Sequence, residues 1–134
     1  MDSKTTIHVP NRGTVKDVNV AIRLNHPDTA DLVLALISPH AKYVTLTNRS
    51  STDAGDNLGS GPNNCSGTPT TFDDSGALLS SGASPYAGHF QPVTSLSQMI
   101  GQRTRGNWQL VVIDAAGGDT GTLGCWKLKI KRKT

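Results

Sequence analysis

Trp126-Lys127-Leu128-Lys129-Ile130-Lys131 is the stretch that decides the fold class. Apolar and charged residues alternate with period two, placing Trp126, Leu128 and Ile130 on one face and three lysines on the other. That is the pattern of a strand with one buried and one wet face. The alternation recurs upstream: Val18, Val20, Ile22 and Leu24 alternate with Asn19, Ala21, Arg23 and Asn25, and Trp108, Leu110 and Val112 share a face. Leu32-Val33-Leu34-Ala35-Leu36-Ile37 is apolar on both faces, so it is expected as a central strand, closed by Ser38-Pro39 and followed by a short partner at 43–46. Residues 95–100 suit one helical turn capped by Ser95. Residues 115–121, rich in Gly, are expected to form a hairpin loop between the last two strands.

Composition supports an all-β chain. All ten acidic residues are Asp and Glu is absent, which removes a good helix former and supplies a residue suited to turns, caps and metal ligation. Fourteen Gly and seven Pro add turns. The expected fold is an antiparallel β-sandwich, a single domain over residues 1–134. Residues 48–69 form a long polar loop in which Leu58 is the one large apolar side chain. Loops of that length tend to be functional or pinned.

The net charge of +3 hides a division. Lys127, Lys129, Lys131, Arg132 and Lys133 crowd the C-terminal end, and the rest of the chain holds more Asp than Lys and Arg. A nucleic-acid surface would need basic residues interleaved with stacking aromatics, and only six aromatics are present, so no nucleic-acid partner is expected. The basic end is expected to be the solvated face of a last strand. No apolar run is long enough to span a membrane as a helix, and no leader pattern follows Met1, which reads as the start of a piece excised from a longer protein. Cys65 and Cys125 allow one bridge, which would close a loop worth roughly 4 kcal/mol. Asn48-Arg49-Ser50 and Asn64-Cys65-Ser66 match the glycosylation sequon.

Catalytic motifs are missing: there is no G-x-S-x-G, H-E-x-x-H, phosphate loop or dinucleotide fingerprint. His26 and His89 border strands and are expected to serve as structural hydrogen-bonding groups. Two Cys sixty positions apart do not make a zinc site. The hard cation Ca²⁺ suits the Asp pairs at strand ends, which are Asp28 with Asp31, Asp73 with Asp74, Asp114 with Asp119, and Asp53 with Asp56 in the long loop. Turn formation and capping explain the same residues. For Asp73-Asp74, one carboxylate must point inward if both are extended, and it then needs a cation or several donors.

Taken in order, several segments resemble the P domain (Homo B domain), the β-sandwich that follows the catalytic domain in kexin- and furin-type proprotein convertases and in secreted bacterial subtilisin-like proteases. They are His26-Pro27-Asp28-Thr29-Ala30-Asp31-Leu32, Leu36-Ile37-Ser38-Pro39, Thr71-Phe72-Asp73-Asp74-Ser75, Gly88-His89-Phe90-Gln91-Pro92, and residues 96–101. Gly106-Asn107-Trp108-Gln109-Leu110, Asp114, and Asp119-Thr120-Gly121-Thr122-Leu123 leading to Trp126 complete the set. The match covers residues 14–130.

The resemblance implies an all-β sandwich of the jelly-roll, galactose-binding-like kind and a non-catalytic accessory domain that stabilises or regulates a subtilisin-like catalytic domain of the same chain, in a secreted protein, and that is a monomer when excised. It implies structural calcium as the cofactor, with Asp31, Asp73 and Asp74 as ligands and Asp28 and Asp119 as weaker candidates. Trp108 and Trp126 are expected as core anchors. Two departures from the family pattern are visible. Ala41 stands where the family has Gly, so the turn is expected to avoid positive φ. An extra stretch, Pro62-Asn63-Asn64-Cys65-Ser66-Gly67-Thr68-Pro69, brings in Cys65 as the expected partner of Cys125. An alternative of another class is a stand-alone adhesion or glycan- and protein-binding sandwich, which an exposed aromatic platform would favour.

Overall fold

The computed structural model describes residues 3–49, 52, 55–116 and 120–134. Eight strands form two four-stranded sheets, and the regular helical structure among the described residues is three short 3₁₀ turns. β1 (Ser3–Val9), β7 (Gly106–Asp114), β3 (Leu32–Ile37) and β4 (Tyr43–Asn48) lie in that order in sheet A. Sheet B runs β6 (Gly88–Phe90), β5 (Thr70–Ala77), β2 (Thr14–Asn25), β8 (Thr122–Lys133). All neighbours pair antiparallel except the short β5–β6 contact, which is parallel. The fold is the expected β-sandwich.

The core lies between the sheets. Val18, Val20, Ile22 and Leu24 of β2 and Phe72 of β5 face Leu32, Leu34 and Leu36 of β3 and Trp108, Leu110 and Val112 of β7, all buried. The Trp108 indole N–H donates to the Thr104 carbonyl at 2.9 Å, so the largest core side chain leaves no polar atom unpaired. Trp126, Leu128 and Ile130 pack against this core but stay only partly buried, because β8 is the edge of its sheet. The turn at Leu96–Met99 forms as expected, and the Ser95 hydroxyl accepts from Ser97 N.

Two expectations need correction. The segment after β7 is not a hairpin loop. β7 is flanked by β1 and β3 and β8 pairs with β2, so the chain crosses from one sheet to the other. Local turn chemistry is the same for both connections; what differs is that β7 has no free edge left for β8.

Secondly, Ala41 does not avoid the left-handed region: its φ is +67°. The turn is closed by Ala41 N donating to Ser38 O and Ser38 N donating to Lys42 O, and this closure holds a residue that pays a steric penalty there. β3 is central in its sheet, as expected, and Ala35 on its outer side is buried. Val33 and Ile37 are half-buried on the outer side.

Candidate functional site

The loops joining β2 to β3 and β7 to β8 meet at one end of the sandwich. Asp28 caps the short 3₁₀ turn Thr29–Asp31 by accepting from Ala30 N at 3.1 Å. His26 is fully buried, and its Nε2 lies 2.9 Å from the Asp114 Oδ2, whose side chain is 3% exposed. The Asp28 backbone N–H donates to His26 Nδ1 at 3.0 Å. A backbone N–H can only donate, so Nδ1 is an acceptor and the ring proton sits on Nε2, directed at Asp114. The His26 hydrogen bond holds the Asp114 carboxyl below its ordinary value of 3.8, and the Ala116 N–H adds to the effect. Both ring nitrogens are engaged and the ring is sealed, so His26 positions loops and has no access to a substrate. The expected structural role of His26 is the observed one.

Asp73 and Asp74 diverge. Asp73, on the outer side of sheet B, accepts from Ser75 N at 2.9 Å, from Asn19 Nδ2 at 3.3 Å and from His89 Nδ1 at 3.2 Å. The Ser75 N–H, then the His89 contact, keep its carboxyl below 3.8. Asp74 accepts from Leu96 N, Ser97 N and the Ser95 hydroxyl at 2.7–2.9 Å and so caps the turn at Leu96–Met99. The several donors that an engaged carboxylate needs come from the protein itself.

Asp31 is half-buried, and its carboxylate makes no hydrogen bond or ion pair among the described residues. Asp119 and Asp53 lie outside the described residues. Among the described residues no three His, Cys or Asp side chains converge as a metal site would require. The described donors alone therefore do not make a calcium site, and no mechanistic step is routed through the ion.

The long loop is anchored at three points. Leu58 is buried and pairs with Leu24. Cys65 is disulfide-bonded to Cys125 on the outer side of sheet B, as expected. The third anchor was not legible in the alternation, which placed Arg23 on a wet face. Arg23 is 4% exposed. Its guanidinium donates to the carbonyls of Leu24, Leu58, Ser60 and Gly61 and to Asn25 Oδ1, at 2.7–3.3 Å. No local signal in the sequence marks it, because every acceptor but two comes from the loop 35 or more positions away.

Two features bear on binding. Sheet A shows an apolar outer side, with Tyr43 50% and Ile113 40% exposed beside half-buried Val33, Ile37 and Val111. No aromatic platform exists among the described residues: Trp108, Phe72 and Tyr86 are buried, Phe90 and Trp126 partly so, and Tyr43 is the one exposed ring.

The architecture, two packed sheets with sealed His and Arg side chains tying the loops, is that of a β-sandwich module without a catalytic constellation among the described residues. The model of the proprotein convertase P-domain matches residues 15–130, and the chain belongs to that family. No curated protein sequence matches the chain. Among solved structures, it is similar to a serine protease of Aeromonas sobria, at 17% identity and a TM-score of 0.58, over 96% of this chain and 23% of that one. The same protease in complex with its chaperone ORF2 matches at 17% identity and a TM-score of 0.57, over 99% of this chain and 23% of that one. At that identity the likeness shows the fold. The chain spans about a quarter of the length of those proteins.

Proposed function

We propose that this P domain is the accessory domain of a secreted subtilisin-like serine endopeptidase, packed against the catalytic domain of the same chain and stabilising or regulating it. The observation that carries this reading is the family match across residues 15–130. The apolar outer side of sheet A supports it, since exposed apolar patches on small domains mark contact surfaces. The Cys65–Cys125 bridge supports an oxidising, extracellular compartment. Calcium is a separable part of the proposal, with Asp31 as a carboxylate not engaged by protein donors among the described residues.

The test is to express the parent protease with the domain, without it, and with Ile113→Asp in the patch. The expected result is a lower thermal midpoint of the catalytic domain in both altered forms, with no peptide or ester turnover by the 134-residue protein alone. Equal midpoints in all three forms would remove the stabilising role. The adhesion alternative finds no support in the aromatic positions.

A further inference from the structure

The end of the sandwich opposite the His26–Asp114 pair gathers basic side chains from three separate loops. Arg12, Gly13, Thr14, His40, Arg103 and Arg105 line one cleft of about 440 Å³. The three guanidiniums are exposed, none forms an ion pair among the described residues, and no carboxylate lines the cleft. The loops that carry them are held firmly. The Thr104 hydroxyl donates to Asn11 O at 2.8 Å, Thr104 N donates to Gly13 O, Arg132 Nη1 donates to Arg12 O, and Val15 N donates to Gln102 O. Gly13 has φ +130°, and a Cβ there would meet Lys133 O at 2.6 Å, so the cleft wall closes directly onto β8.

From that wall a ladder of like charge continues. Lys133 pairs in register with Thr14, and Lys131, Lys129 and Lys127 follow on the same outer side of β8. Alternate residues of a strand stand about 7 Å apart, so Lys127 to Lys133 spans about 20 Å. Asp17 sits opposite Lys131 but forms no ion pair with it, and Asp73 is turned to Asn19 and His89 across β2. Blunting an edge strand accounts for lysines on β8. It does not account for three unpaired arginines converging at the strand's end, where mutual repulsion opposes the fold.

We propose that the arginine cleft and the β8 lysine ladder together bind a sulfated linear polysaccharide. Arginine forks match oxyanions in paired hydrogen bonds, and a row of lysines suits a polymer with charges repeated along its length. The cleft lining holds no apolar side chain to anchor a protein partner, and the stripe holds no aromatic ring on which nucleobases would stack.

The experiment measures binding of a fluorescent heparin oligosaccharide by the 134-residue protein at several salt concentrations. Its chemically desulfated form, poly-glutamate and duplex DNA serve as competitors. The expected result is salt-dependent binding that the competitors displace poorly. In the double variant Arg103→Ala with Arg105→Ala it should weaken about tenfold or more, with the salt slope reduced by roughly two. Lys129→Ala with Lys131→Ala should weaken it by a smaller factor. Unchanged thermal midpoints of both variants establish that they are folded. Binding that is absent, or unaltered in the arginine variant, overturns the site. Equal displacement by poly-glutamate or duplex DNA overturns the choice of ligand in favour of an acidic protein or a nucleic acid.

Discussion

The two ends of this sandwich use charge in opposite ways. At the end where β2 leads into β3, ionisable groups are buried and consumed internally: His26 is spent on Asp114 and a backbone amide, and Arg23 beside it on four carbonyls. At the other end Arg12, Arg103, Arg105 and His40 stand in water with no carboxylate to meet them. Buried polar groups must be paired to be tolerated, whereas exposed ones cost little and remain available. The first end should therefore be sensitive to substitution and to acid, and the second should be nearly indifferent in stability.

The sharpest test is Arg23→Met. It removes the donor from the Leu58, Ser60 and Gly61 carbonyls while keeping the stem that packs beneath the loop, and is expected to cost about 3–5 kcal/mol in denaturant unfolding. A loss below 1 kcal/mol would mean that water replaces the guanidinium and that the two ends do not differ in kind.

Next comes acid. Asp114 and Asp73 are held below the 3.8 they would have in the unfolded chain, so their contribution is fully present above that value and is lost as pH falls through the lower folded values. Asp114→Asn should flatten the fall in stability below pH 4 and, by weakening the His26 contact, lower stability at pH 7 by about 2 kcal/mol. An unchanged acid profile would assign the loss to other groups.

Much of this structure is legible in the amino-acid sequence. Strict alternation around Val20, Trp108 and Trp126 identifies the strands and their inward faces, because a one-residue slip would turn every apolar side chain outward. Partner choice was not legible. Nothing in 115–121 tells whether β8 folds back onto β7 or passes to the other sheet, since that depends on the distant β1 filling the free edge of β7. The Asp clusters were visible as residues but not as roles: Asp74 caps a turn that begins 22 positions later. The arginine cleft was the least legible feature, because residues 12, 40, 103 and 105 come together only through sheet topology.

Smaller effects probe one turn at each end. Ala41→Gly relieves the +67° backbone and should raise stability by up to about 1 kcal/mol, seen as a midpoint a few degrees higher. No gain would mean that the freer unfolded glycine cancels the relief. The smallest shift is expected from excess calcium against EDTA. With no cluster of three carboxylates around Asp31 among the described residues, too little charge is gathered there to hold the ion tightly, so the midpoint should move by no more than about 3 °C, and not at all in Asp31→Asn. A shift several times larger would show a complete site.

The Arg23 clamp also bears on how this loop can change over generations. A guanidinium that grips main-chain oxygens recognises the path of the chain and is blind to the side chains along it, since every residue offers the same carbonyl. Besides the anchors Leu58 and Cys65, the positions that stay under constraint are those with no room for a side chain, such as Gly59, where a Cβ would meet Arg23 Cδ at 2.8 Å. The exposed positions between these anchors can exchange their residues while the loop keeps its shape. The domain thus carries a surface segment whose chemistry can be rewritten without touching the fold beneath it.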